Sequence, residues 1–265
     1  MSKPVLIYNV DSASVIARGV EYTEEQLDEA MNGPVKDLLL DRTGTSELED
    51  MLSGLASTEF DQEQISQLLQ VELEPEGWLV GEALAEAYVS DNDNCVFPWP
   101  ANRDLKNPKA SPAGADLAGF QKTGDETNSF RFAFGEVKTS SDKNHPPNVI
   151  HGQGGFENQL VKLRDSYPTK RGLILYLGHH AVNASWRNMF ESAIERFLSS
   201  EQTDIAIFGV LIRDVPPDAS DLSRCADLLA DSCPASTNIT LYALYLPVSA
   251  ISSLPSKLQS ALRGD

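Results

Sequence analysis

Phe130 to Thr139 reads FRFAFGEVKT, an apolar segment that ends in two opposite charges one residue apart. Side chains alternate faces in an extended chain, so Glu136 and Lys138 project to one side of a strand and Val137 to the other. Phe132 and Phe134 share the parity of Glu136, which makes the charged face core elsewhere along the strand. A carboxylate and an ammonium there are costly to bury unless they pair or meet a cation. Just upstream, Gly114 to Phe120 (GADLAGF) reads as a neighbouring strand, joined to the first by the polar turn Lys122 to Ser129. Its Asp116 supplies a second carboxylate. Two carboxylates converging on one point repel unless a proton or a metal joins them.

Oxygen donors of this kind suit a hard cation, Mg²⁺ or Mn²⁺, which needs only one or two carboxylates and a substrate phosphate. This is the set that metal-assisted phosphodiester hydrolysis requires, with Lys138 placed to orient a water or to neutralise charge that develops in the transition state. Further upstream, Trp78 to Val89 (WLVGEALAEAYV) has the apolar spacing of one helix face, following a boundary at Pro75-Glu76-Gly77. Glu82 on that helix is a candidate further ligand of metal or water, and Glu86, one turn later, competes with it. The structural alternatives are a strand-end ion pair for Glu136 and Lys138, a turn residue for Asp116, and for Glu82 an acid favoured by the helix dipole.

Downstream, a glycine-rich loop HGQGG at 151 to 155 leads into a helix from Glu157 to Tyr167. Its backbone N–H groups are one possible phosphate contact, and a flexible connector is the competing reading. Leu173 to Leu177 is a continuous apolar run, the pattern of a fully buried strand. A helix (Trp186 to Leu198), a strand (Ile205 to Ile212), a polar stretch with Pro216-Pro217, a strand (Ile239 to Leu246) and a terminal helix (Ser249 to Leu262, interrupted at Pro255) complete this part. Lys143, Lys162, Arg164, Lys170 and Arg171 make the stretch after the GEVK strand locally basic. It is suited either to tracking a DNA backbone or to forming a solvated face. The adjacent pair His179-His180 reads as a capping or loop feature, and the four histidines form no zinc pattern.

Before Pro75 the chain reads as two strands, Val5 to Val10 and Ser14 to Tyr22, then a helix opened by the capping box Thr23-x-x-Gln26 and interrupted at Gly33-Pro34. Short helices follow at 35 to 40, 47 to 55 and 63 to 69. Cys95 to Trp99 reads as a strand that enters a loop bearing Arg103, Lys106 and Lys109. The expected fold is therefore α/β, a central mixed sheet flanked by helices over 76–265, with residues 1–75 as an acidic, mostly helical appendage.

Composition sharpens the division. The 265 residues hold 21 Lys+Arg and 39 Asp+Glu, so 21 − 39 gives −18. Such a chain is a poor grip for nucleic acid by itself, because that affinity rests on cations replacing phosphate counterions. Residues 1 to 80 hold 17 acids and 4 bases (−13), 81 to 180 hold 12 and 11 (−1), and 181 to 265 hold 10 and 6 (−4). The region with the chemistry is nearly neutral, and the acidic first third is expected to dock a partner or to restrain activity. Three cysteines without C-x-x-C spacing argue against a disulfide framework and a structural zinc site. No run approaches the roughly 20 apolar residues of a spanning helix, and MSKPVLIYNVDS lacks the pattern of a secretory signal. A cytoplasmic protein with no membrane association is the expectation.

The order Glu-bearing helix (GEALAEAY), Asp strand (GADLAGF), Glu-x-Lys strand (FGEVKTSS), helix and buried strand resembles the PD-(D/E)xK nuclease superfamily, although Ala115 stands where the name has proline. Within it, residues 76 to 178 are similar to the HamA family of Hachiman antiphage defence and the related AbpA proteins. The resemblance implies an α-β-β-β-α-β core and a Mg²⁺- or Mn²⁺-dependent deoxyribonuclease. It assigns catalysis to Glu82, Asp116, Glu136 and Lys138, the three acids as metal ligands. It also implies substrate contact through Gln159, with Lys143 a further candidate; Leu163 replaces the tyrosine that some relatives carry four residues after the glutamine. Finally it implies a hetero-oligomer with a partner helicase resembling HamB or AbpB. The alternative is a non-catalytic acidic protein that binds or regulates a nucleic-acid enzyme.

Overall fold

The chain enters the central sheet at once. In the computed structural model, which describes residues 3–54, 58–69, 76–100, 103, 114–124 and 129–263, Val5–Ser12 (β1) and Val15–Glu21 (β2) pair antiparallel. Thr23 then caps the helix Glu24–Ala30 (α1): its hydroxyl accepts from the Gln26 N–H at 3.2 Å, and the Gln26 side chain accepts from the Thr23 N–H at 2.9 Å. Thr23→Ala removes one half of this box. A loss of about 1 kcal/mol in unfolding free energy, read by urea titration, is the expected result.

At Met31–Val35 the helix widens into one π turn, where Gly33 leaves helical geometry and Pro34 sits inside; Lys36–Leu39 (α2) adds a final turn. Leu27, Ala30, Met31, Val35 and Leu39 are all buried. By contrast Arg42–Ser53 (α3) and Glu59–Leu68 (α4) bury no side chain. The expectation of an appendage over 1–75 is therefore corrected over 5–39, which belong to the sheet and its helical cover. Segmental charge points to a separate unit, but charge on an outer face says nothing of what the inner face packs against.

Gly77–Asp93 (α5) follows, then Cys95–Val96 (β3), Leu117–Lys122 (β4) and Phe130–Ser140 (β5). The chain continues through Phe156–Asp165 (α6), Tyr167–Ala181 (α7) and Arg187–Ser199 (α8) to Ile205–Arg213 (β6), then Ser220–Ala230 (α9), Asn238–Tyr245 (β7) and Ala250–Arg263 (α10). The strands form one sheet in the order β1-β2-β7-β6-β5-β4-β3. The middle four, β2, β7, β6 and β5, are parallel, and both flanks are antiparallel. On one face α1, α2, α5 and α10 pack over Phe208, Val210 and Ile212. On the other, α6 to α9 pack over Phe132, Phe134 and Ile207. The architecture is α/β with helices on both faces of a mixed sheet, and no helix of the described residues is long and apolar enough to cross a membrane.

Four expectations need correction. Leu173 to Leu177 is not a strand but the middle of α7, opened by Ser166, whose hydroxyl accepts from the Thr169 N–H at 3.3 Å. The continuous apolar run hid a helical stripe: Leu173, Ile174, Leu177 and Ala181 are buried, whereas Leu175 is 45% exposed. The stretch after Pro216-Pro217 contains α9, whose Leu222, Cys225, Ala226 and Leu229 fall at helical spacing and are buried. The strand from Cys95 shortens to two residues, and Pro255 lies within α10 without ending it.

Candidate active site

β5 outruns its neighbour. Leu117, the first residue of β4, pairs with Gly135, so Glu136–Ser140 has β6 on one side and, among the described residues, no strand on the other. Asp116 occupies the vacant edge: its Oδ2 accepts from the Val137 N–H at 2.7 Å. Gly114, at φ +119°, turns the chain into this position, a conformation that L side chains rarely adopt. Val137 is buried among the residues under α5. Glu136 and Lys138 pair with each other, Nζ to Oε1 at 2.5 Å, with the Glu136 side chain 6% exposed and that of Lys138 29%.

Glu82 arrives from α5. The preceding Gly81 lets the helix lie close to the end of β5, because a Cβ there would stand 2.8 Å from Thr139 Oγ1. Burial pushes the Glu82 carboxyl up to about 8, and the nearby charges of Asp116 and Glu136 push it the same way, with Lys138 offsetting them in part. Glu86 also rises to about 8, but from burial alone. Of the two acids in GEALAEAY, Glu82 is thus the one that shares a field with Asp116 and Glu136. Among the described residues its carboxylate has no hydrogen-bond or ion-pair partner.

Asp116 and Glu136 are both held above the ordinary carboxylate range by burial. For Asp116, the Val137 N–H and Lys138 work against the rise. For Glu136, Asp116 adds to it while Lys138 and Lys162 oppose it. Lys162, exposed on α6, is thereby close enough to feel Glu136, whereas in the sequence it is one member of a general basic stretch. Its offset from Gln159 was the available signal, since residues three apart share a helix face. Gln159 is half-buried on α6, and Lys143 is exposed in the loop after β5.

The chain beyond Lys138 is pinned from beneath. Arg213, fully buried at the end of β6, donates to the carbonyls of Ser140 (3.1 Å) and Asn144 (2.9 Å) and to Asp221 Oδ2 (3.2 Å). Asp221, buried on α9, also accepts from the Tyr245 hydroxyl at 2.9 Å and lies 2.8 Å from His145 Nδ1.

Other sequence candidates have structural duties. Arg164 is buried and donates to the carbonyls of Leu229 and Asp231, and buried Lys170 to those of Arg164 and Gln202, so neither is available to a DNA backbone. The HGQGG loop is tied to the first turn of α6 through Asn158 Nδ2 on the Gly152 carbonyl and the His151–Glu157 contact at 3.2 Å. His179 and His180 lie in the last turn of α7, where His180 stacks on Trp99 with centroids 4.0 Å apart. Arg103 pairs with Asp41, and Lys106 and Lys109 lie outside the described residues.

Three half-buried or buried carboxylates that repel one another, offset in part by the Lys138 ammonium, have the donor chemistry that a hard cation satisfies. They are not drawn together to ligating separation: no group of three or more His, Cys, Asp or Glu side chains among the described residues is set to hold a metal ion. No protein-family model and no curated protein matches the chain.

Proposed function

We propose that the chain is a metal-dependent DNA nuclease of the PD-(D/E)xK type, the effector subunit of a bacterial antiphage defence system, cytoplasmic and licensed by a partner helicase. The observation that carries this reading is the gathering of Glu82, Asp116, Glu136 and Lys138 at the unpaired end of β5. The order of α5, the antiparallel β3, β4 and β5, the α6–α8 crossover and parallel β6 also supports it, being the α-β-β-β-α-β order of the resemblance.

Glu82, Asp116 and Glu136 would hold Mg²⁺ or Mn²⁺. The ion, when bound, supplies polarisation of the scissile phosphate and acidification of a water. Lys138, now paired with Glu136, exchanges that partner for the charge that develops on the reacting phosphate. Asp116 keeps one oxygen on the Val137 N–H and so holds its other oxygen toward the site. Gln159 and Lys162, on one face of α6, contact the substrate backbone. Incubation with supercoiled plasmid and Mn²⁺, with and without EDTA and with a partner helicase and ATP, is the direct test. Nicks that appear only with the cation are the expected result; their absence under every condition favours the acidic regulatory protein instead.

The raised carboxyls predict a pH response. The folded-state pKa of Glu82, about 8, lies above its ordinary value of 4.5. Between those values the folded chain binds the extra proton, so stability falls as pH rises through that window. In EDTA, Glu82→Gln should flatten part of this decline, and Glu86→Gln another part. Mg²⁺ or Mn²⁺ at the upper end of the window should restore stability in the parent and less in Glu82→Gln. Identical pH slopes and identical metal responses in parent and Glu82→Gln would show that Glu82 stands outside the site.

A further inference from the structure

Away from the carboxylates, a groove of about 1310 Å³ opens between Asp37–Glu47, Val96 to Pro100 with Arg103 at and after the end of β3, and the turn from α7 to α8. Its floor is aromatic: Phe97, Trp99 and Trp186 line it, so two of the three tryptophans of the chain face one cleft. Its rim is acidic. Asp37, Asp41, Glu47 and Asp91 stand against Arg42 and Arg103, and 2 − 4 gives −2 with histidine left aside. Both arginines are already held, Arg42 by Asp37 at 2.9 Å and Arg103 by Asp41 at 2.5 and 2.7 Å.

Arg103 also displays what the groove accepts. Its guanidinium carbon lies 4.8 Å from the centroid of the Trp99 ring while its nitrogens grip Asp41, the combination of aromatic face and carboxylate fork that guanidinium prefers. Trp186, Phe97, Glu47 and Asp91 provide the same two kinds of surface, and the rim acids Glu47 and Asp91 are exposed. Lys3 reaches Asp91 only at 4.0 Å between exposed side chains, a contact of little strength. A single-stranded nucleic acid would find stacking platforms here but, among the described residues that line the groove, no unpaired arginine or lysine for its phosphates, on which such binding depends.

We propose that this groove is a docking site for an arginine-bearing peptide segment of a partner protein, whose guanidinium groups stack on Trp186 and Phe97 and pair with Glu47 and Asp91. The site stands apart from the candidate nuclease residues, so the proposal holds or fails independently of cleavage.

The test is anisotropy of a labelled Arg-Gly repeat peptide against the full chain, with a Gly-Ser peptide and oligothymidylate as the other arms and tryptophan emission as a second readout. Saturable binding of the Arg-Gly peptide with a change in emission is expected. Glu47→Lys/Asp91→Lys should weaken it at least about tenfold with the thermal midpoint unchanged. The equal-charge control Glu195→Lys/Glu201→Lys, both exposed, should leave affinity nearly as it was. Equal weakening by both pairs would show attraction to net charge alone and overturn the site, as would preference for oligothymidylate or no binding of the Arg-Gly peptide.

Discussion

Lys138→Ala is expected to lower cation-dependent DNA cleavage by about 10²–10³-fold while leaving the fold, read by thermal midpoint and circular dichroism, as it was. The side chain is partly exposed and among the described residues it bonds only to Glu136, so its removal opens no core. The companion variant separates roles. Glu136→Ala should abolish cleavage and also weaken Mn²⁺ binding measured by calorimetry, because a ligand is lost. Lys138→Ala should leave that binding intact or strengthen it, since a competing positive charge has gone. Full cleavage by both purified variants would remove the β5 end from the chemistry. Cleavage lost in both with unchanged Mn²⁺ affinity would leave Glu136 in catalysis but take it out of the ligand set.

The largest expected effect on stability lies beneath the site. Asp221→Ala leaves the fully buried Arg213 guanidinium without its carboxylate and removes one acceptor of the Tyr245 hydroxyl and the partner of His145. Breaking one side of such a pair costs about 3–5 kcal/mol, or a fall in thermal midpoint of roughly 6–20 °C for a domain of this size. Arg213→Met combined with Asp221→Ala removes the uncompensated charge and should recover part of the loss, since apolar replacements of buried ion pairs are often tolerated. A fall of less than about 1 kcal/mol in Asp221→Ala would mean that Arg213 finds other acceptors and that the pair is not what pins the loop after β5.

What sequence made legible was local. The alternation in FRFAFGEVKT placed Val137 against Glu136 and Lys138, and the Thr23–Gln26 box forms as its spacing predicts. Asp116 and Glu136 could be brought together because one short turn separates their strands. The failures have physical causes. A helix with one buried stripe reads like a buried strand when its apolar residues are contiguous, which hides α7. The proline pair before α9 drew attention to the break and away from the amphipathic residues after it. Lys162 acquires meaning only when α6 is laid across β5. Nothing in the sequence marks Arg213 and Asp221 as buried, because their burial is decided by strands and a helix that meet only in the folded chain.

The pairing of β2 with β7 carries a consequence for how the protein is made. Val15 stands beside Ile239, a separation of 239 − 15 = 224 residues. During vectorial synthesis the first strands leave the ribosome long before their neighbour exists, and Val15 and Ala17, fully buried in the finished sheet, must wait in contact with water. Pairings so distant in sequence are slow to close and leave apolar edges open in the meantime. The hairpin of β1 and β2 can form early, but the sheet is continuous only when the last strand has emerged. The carboxylate and lysine of β5 are thus translated before the scaffold beneath them is whole, and chaperone dependence of the nascent chain should map to β2 rather than to the strand that bears the chemistry.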